Sequence, residues 1–272
     1  MYAELRLFVQ ATLARTYPRV AWMFRNSTWL LQETLLPLLS VAAFAYVYRA
    51  MNAPPVYVGF VILGAAMMTF WRNVLWSMGA HLYWERDSGN LELYIMAPAP
   101  MASILAGMAI GGLTTTVVRA LAIIAAGVIV FDVPIHPASW WLLGLVFGLT
   151  MFALYGLGMV FASVFLLWGR EAWHTVNLLQ EPVYLITGMN FPVKVLGELV
   201  HLAVPLIATL IPLTVGMDAM RQLLFRGEGL FSVWTEIGML AVLSVVFLIT
   251  AQWALRVMER KAREEGRLSI RW

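Results

Sequence analysis

A helix that crosses about 30 Å of hydrocarbon needs about 20 predominantly apolar residues. This chain carries six such runs, at 29–48, 56–80, 103–131, 139–168, 172–191 and 231–257. In lipid the backbone must satisfy its own hydrogen bonds, so runs of this kind are constrained to be helical unless they close into a barrel. Composition narrows the class further. Of 272 residues 61% are hydrophobic and only 12% are charged, against about 25% charged in a soluble domain. That excludes a water-soluble enzyme, and the hydrophobicity excludes a disordered chain. There is no cysteine, which removes disulfides and cysteine-based metal or redox chemistry. The expected fold is an all-α polytopic membrane protein with six transmembrane helices.

Cationic residues set the expected orientation, because Lys and Arg favour the cytoplasmic side. With the N-terminus inside, the inner segments hold 12 of the 18 Lys and Arg and the outer segments 4. Arg72 and Arg119 fall within spans. Both termini are therefore expected in the cytoplasm. Residues 1–28 lack a compact apolar region with a small-residue cleavage site, so they do not read as a cleavable signal. Leu5, Phe8, Val9 and Leu13 can share one face of a helix, with Glu4, Arg6, Gln10 and Arg15 elsewhere, the pattern of an amphipathic helix at the membrane interface. Pro18 is expected to break or kink it. A solvated cationic lead-in is the simpler alternative.

The stretch 192–226 is apolar but is cut by Pro192, Pro205 and Pro212 into pieces of about ten residues, too short to cross. A seventh crossing would also move the six tail cations outside. Two short helices, at 195–204 and 214–225, are expected to form a re-entrant hairpin at the outer leaflet. The domain reading is an interface helix at 1–28, a transmembrane domain at 29–258 and a basic cytoplasmic tail at 259–272.

Between the second and third spans lies Glu85-Arg86-Asp87-Ser88-Gly89-Asn90-Leu91-Glu92, continuing to Pro98. It reads as a short helix on the membrane surface, its charges turned to a partner, or as a plain solvated connection. Here the chain resembles the permeases of ABC-2 type exporters, bacterial transport subunits that move drugs, lipids or polysaccharides. They carry a Glu, then Gly-x-Leu-Glu, then a Pro at this place, matched by Glu85, Gly89-Asn90-Leu91-Glu92 and Pro98. Gly188-Met189-Asn190-Phe191-Pro192 resembles the family's fifth-span exit. Ile211-Pro212-Leu213-Thr214 with Asp218 and Arg221 resembles its pattern before the sixth span.

The resemblance implies that segment 85–98 is a coupling helix, with Glu85, Arg86, Asp87, Gly89, Leu91 and Glu92 docking into a nucleotide-binding ATPase subunit. It implies a second permease, identical or paralogous, beside this one in the bacterial inner membrane. ATP-Mg would sit on the partner and no cofactor on this chain. The sequence has no Gly-x-x-x-x-Gly-Lys-Ser/Thr phosphate loop, so a transport subunit without its own enzymatic activity is expected. The substrate would be an amphipathic small molecule or lipid. Alternatives are export of a lipid-linked polysaccharide and, from another class, an ion-coupled carrier. Membrane lipids are expected neighbours, and nucleic acid is not.

Ionisable groups inside spans are candidates for a gate or path by default. Glu33 and Arg72 lie at matching depth and are expected to pair or share a polar pocket, and Arg119 and Glu181 to pair deeper in the bundle. Structural ion pairs or snorkelling arginines are the alternative. His81, His136, His174 and His201 are too scattered for a metal-ligand motif. Gly107 with Gly111, and Gly144 with Gly148, carry the small-residue spacing of close helix packing. The tryptophans read mainly as interface anchors, some as path-lining rings.

Overall fold

The structure is a computed structural model that describes residues 2–168, 171–191 and 203–264. Every regular element among them is helical. Helix α1 spans Tyr2–Arg25, α2 Ser27–Ala50 and α3 Val56–Val74. A π-helical turn, Leu75–Gly79, joins α3 to α4, His81–Asp87. Helix α5 is Leu91–Met96, α6 Met101–Phe131 and α7 Trp140–Trp168. Then follow α8, Glu171–Ile186, α9, Ala203–Ala208, α10, Pro212–Phe225, and α11, Trp234–Glu264.

Five helical stretches are long and apolar enough to cross a membrane: Thr28–Ala50, Val56–Glu85, Met101–Phe131, Trp140–Phe165 and Trp234–Met258. By length and composition the chain is a multi-pass membrane protein. The second stretch is the centre of the bundle, with 89% of its apolar window buried against 11% for the first. A core of Phe70, Trp71, Leu75, Leu154, Phe165 and Leu213 packs α3, α7 and α10 together. A smaller cluster of Leu82, Leu105, Met108, Leu255 and Met258 closes the end carrying α4 and α5. Val41, Val58, Ile62 and Phe131 pack near the opposite end.

The expected fifth span, 172–191, is not among the five. Its helix α8 has 16 residues, about 24 Å at about 1.5 Å per residue. Residues 187–190 leave the helix at the level of Gly64, short of the α3 start. Gly188 has φ 64°, a left-handed conformation that ends helices. The turn is buried, and it fits because Gly64 has no side chain: a Cβ there would collide with the Met189 carbonyl. Irregular backbone within an apolar bundle is tolerated where protein covers it. Arg221 of α10 supplies the missing donors, giving hydrogen bonds to the Gly188 and Met189 carbonyls at 2.8 and 2.9 Å. Its guanidinium stacks 4.9 Å over Phe60. Tyr48 donates to the Asn190 carbonyl at 2.7 Å, and Asn190 Nδ2 donates to the Tyr184 hydroxyl at 2.6 Å.

Other expectations shift in detail. Pro18 does not break α1, which is continuous through it. Of the two expected short helices, 195–204 lies outside the described residues up to 202, and 214–225 falls within α10. Helix α9 occupies Ala203–Ala208, largely beyond the expected first helix. Pro212 stands in the first turn of α10, where its missing N–H costs nothing. The tail is helical as far as Glu264, and 265–272 lie outside the described residues. Gly107 and Gly111 receive α1: a Cβ on Gly107 would stand 2.6 Å from the Thr12 carbonyl oxygen. Gly144 and Gly148 meet nothing within 4 Å.

Replacing Arg221 by Met should leave buried carbonyls without donors and cost about 3 kcal/mol, since each unsatisfied buried acceptor costs about 1–3 kcal/mol. Arg221→Lys, which keeps a donor, should lose less. Unfolding midpoints of the purified protein in detergent measure both, and equal stability of R221M and wild type would remove the clamp.

Candidate functional site

Helix α1 lies along the first half of α6. Thr12 Oγ1 donates to the Ser103 carbonyl at 3.1 Å and Thr16 Oγ1 to the Gly107 carbonyl at 3.1 Å. Leu5, Val9 and Leu13 face outward and are exposed, as are Tyr17 and Phe24, while Thr12 and Met23 are buried. Glu4, Arg6 and Gln10 are exposed too, so the first turns of α1 are open on both faces, and from Thr12 onward a partly polar face points into the bundle. That inward face carries Arg15 and Arg19 over the end of α3.

Between α1, the start of α2, the end of α3 and α6 lies a cavity of about 770 Å³. Arg15, Arg19, Arg72, Arg119, Glu33 and Glu85 line it. Four arginines against two glutamates leave a surplus of two positive charges. The glutamates are occupied. Glu33 accepts from Arg119 Nη1 at 2.9 Å, and the Arg119 guanidinium stacks 4.9 Å over Trp29. Arg119 Nη2 also donates to Thr116 Oγ1 at 3.1 Å.

Glu85 is held harder still. It takes Arg15 Nη2 at 2.6 Å and His81 Nε2 at 2.8 Å on one oxygen, and Asn90 Nδ2 at 3.0 Å on the other. Arg15 also meets His81 Nε2 and stacks 5.4 Å over Tyr94. Burial raises the Tyr94 phenol above its ordinary pKa, so it stays neutral at physiological pH. Arg19 Nη1 donates to the Ser77 carbonyl at 3.2 Å, within the π turn. π turns recur at functional sites; this one offers its backbone to an arginine. Two tryptophan pairs complete the walls: Trp22 edge-on to Trp29 at 5.0 Å, and Trp76 stacked on Trp84 at 6.2 Å.

Several sequence expectations are thereby redrawn. Glu33 and Arg72 share one cavity, but Glu33 pairs with Arg119. Glu181 is exposed, bonded at 3.4 Å to neighbouring Gln180 and not to Arg119. Glu85 is buried and turned inward to Arg15, His81 and Asn90. Segment 85–98 is not one surface helix but an elbow: the end of α4, a turn with Gly89 at φ 77°, and α5. The side chains of Arg86, Asp87, Leu91 and Glu92 lie outside what is described. No group of three potential metal ligands occurs among the described residues. Arg15 and Arg19 were not singled out as site residues from sequence, and the four cavity tryptophans read there as interface anchors or path-lining rings. The available signal was arginine spacing on the inward side of α1, at 15 and 19, one helical turn apart.

Removing Glu33 alone should strand the buried Arg119 charge. Glu33→Ala is expected to cost about 3 kcal/mol, while adding Arg119→Met should recover more than half of that. Thermal unfolding in detergent checks it, and a double variant as unstable as E33A would rule out the pair as the cause.

Comparison with protein-family models and with curated proteins finds no match for this chain.

Proposed function

We propose that the chain is the permease subunit of an ATP-driven ABC-2 type exporter, moving an amphipathic small molecule or lipid outward across the cytoplasmic membrane of a bacterium. The observation that carries this reading is the α4–α5 elbow and its tie to the cavity. It follows the second long helix and lies at the same end as α1. Glu85, clasped by Arg15, His81 and Asn90, links the elbow to α1. The same α1 supplies Arg15 and Arg19 to the cavity wall. A partner that pulls on the elbow would therefore move one wall of a charged, tryptophan-lined cavity.

ATP-Mg belongs to the partner in this reading, because the chain lacks a phosphate loop. In this reading Arg86, Asp87 and Glu92 of the elbow dock into a groove on that partner. The outward faces of α2 and α11, with Leu31, Leu35, Leu39, Val242, Ile249 and Trp253 exposed, are available to lipid or to a second permease chain.

Replacing Arg86, Asp87 and Glu92 by Ser, with Glu85 kept, should lower co-purification of the cognate ATPase subunit at least tenfold and leave the permease folded. Substrate transport by the permease alone, driven by a proton gradient without ATP, would overturn the exporter reading in favour of an ion-coupled carrier.

A further inference from the structure

The cavity under α1 holds more donors than acceptors. Arg15 and Arg119 are neutralised by Glu85 and Glu33. Among the described residues, no ion pair involves Arg19 or Arg72. Arg72 lies within electrostatic reach of Arg119, and Arg119 within reach of Arg19. Arg19 is half-buried and gives one hydrogen bond, to the Ser77 carbonyl, while Arg72 is exposed at the cavity. Both guanidiniums keep donors free of any carboxylate, and an oxyanion in the cavity would accept from them.

The surroundings specify what carries the oxyanion. Arginine guanidiniums match phosphate oxygens with paired hydrogen bonds, and the surplus of two positive charges matches a phosphomonoester. The volume of about 770 Å³ is generous for an inorganic ion. Tryptophan offers an apolar face with one donor, the character of a membrane interface. Trp22 lines the cavity and is 49% exposed. Tyr17 and Phe24 on its own helix, and Leu31 and Leu35 on α2, are exposed apolar side chains. A head group inside and an acyl tail outside would use both environments.

We propose that this cavity binds the phosphate-bearing head group of an anionic membrane amphiphile, with Arg19 and Arg72 as its charged contacts. As a statement about the exported substrate this rests on the exporter reading; as a binding site it does not.

The test uses the full-length permease alone, purified in a neutral detergent, with tryptophan fluorescence as readout. The probes are phosphatidic acid and phosphatidylcholine with eight-carbon chains, and inorganic phosphate. Phosphatidic acid should bind at least tenfold more tightly than phosphatidylcholine. Arg72→Gln should weaken phosphatidic acid about tenfold and leave phosphatidylcholine unchanged, with Arg72→Lys intermediate. Arg19→Gln should act in the same direction but also loses its bond to the π turn. Arg72 makes no such bond, so the Arg72 variants decide the matter if R19Q fails to fold. Arg256→Gln, outside the cavity, should bind as wild type. Equal binding of the two lipids, or an unchanged affinity in folded R72Q, would overturn the site. Inorganic phosphate binding as tightly as phosphatidic acid would overturn the amphiphile. No ATPase is present, so failure here leaves the exporter reading standing, and failure of that reading leaves a binding result intact.

Discussion

A charge inside an apolar helical bundle must be matched, because water is not there to solvate it. That constraint organises this molecule. Arg119 is matched by Glu33, Arg15 by Glu85 and Arg221 by two main-chain carbonyls. Each match joins elements distant in the chain. The first joins α2 to α6, the second α1 to α4, and the third α10 to the turn after α8. The polar groups act as clips between helices whose remaining contacts are apolar and non-directional. Where carboxylates run out, at Arg19 and Arg72, the helices leave a cavity.

Helix α1 gives that hollow its character. An amphipathic helix on a water-soluble protein turns its apolar face to the core. Here, from Thr12 onward, apolar side chains such as Leu13 and Tyr17 look outward, and Thr12, Arg15, Thr16 and Arg19 look in. The glycine pair on α6 lets the helix approach closely enough for threonine hydroxyls to reach α6 carbonyls. The same approach brings Arg19 to the π turn and Arg15 to Glu85. One helix therefore belongs to both the cavity and the elbow, and any motion of the elbow has a short mechanical path to the cavity wall.

Much of the architecture was readable from residue types alone. Hydropathy marks the five long helices, since a stretch of some twenty apolar residues has few alternatives to spanning. Pro212, in the first turn of α10, marks where the chain between α9 and α10 does not run as one helix. A shared pocket was readable too. Glu33 and Arg72 do line one cavity. Azimuth was not: which neighbour Glu33 faces depends on how α2 is rotated against α3 and α6. Arg221 reads as an outer-side cation, and its burial was invisible because carbonyls carry no side-chain signature.

The sequence by itself determined that this chain is helical, membrane-compatible and poor in charge, because those properties follow from additive contributions of residues along one axis. It also determined that the few interior charges would be the sites to watch. Only the tertiary structure decided their partners, the early end of α8 and the inward turn of Glu85. Those outcomes depend on which helices come within about 3 Å of one another, and that is set by glycine contacts such as Gly64 against Met189 and Gly107 against Thr12. The cavity itself is of the same kind: its donors come from three separate helices, and only packing brings them to face one space.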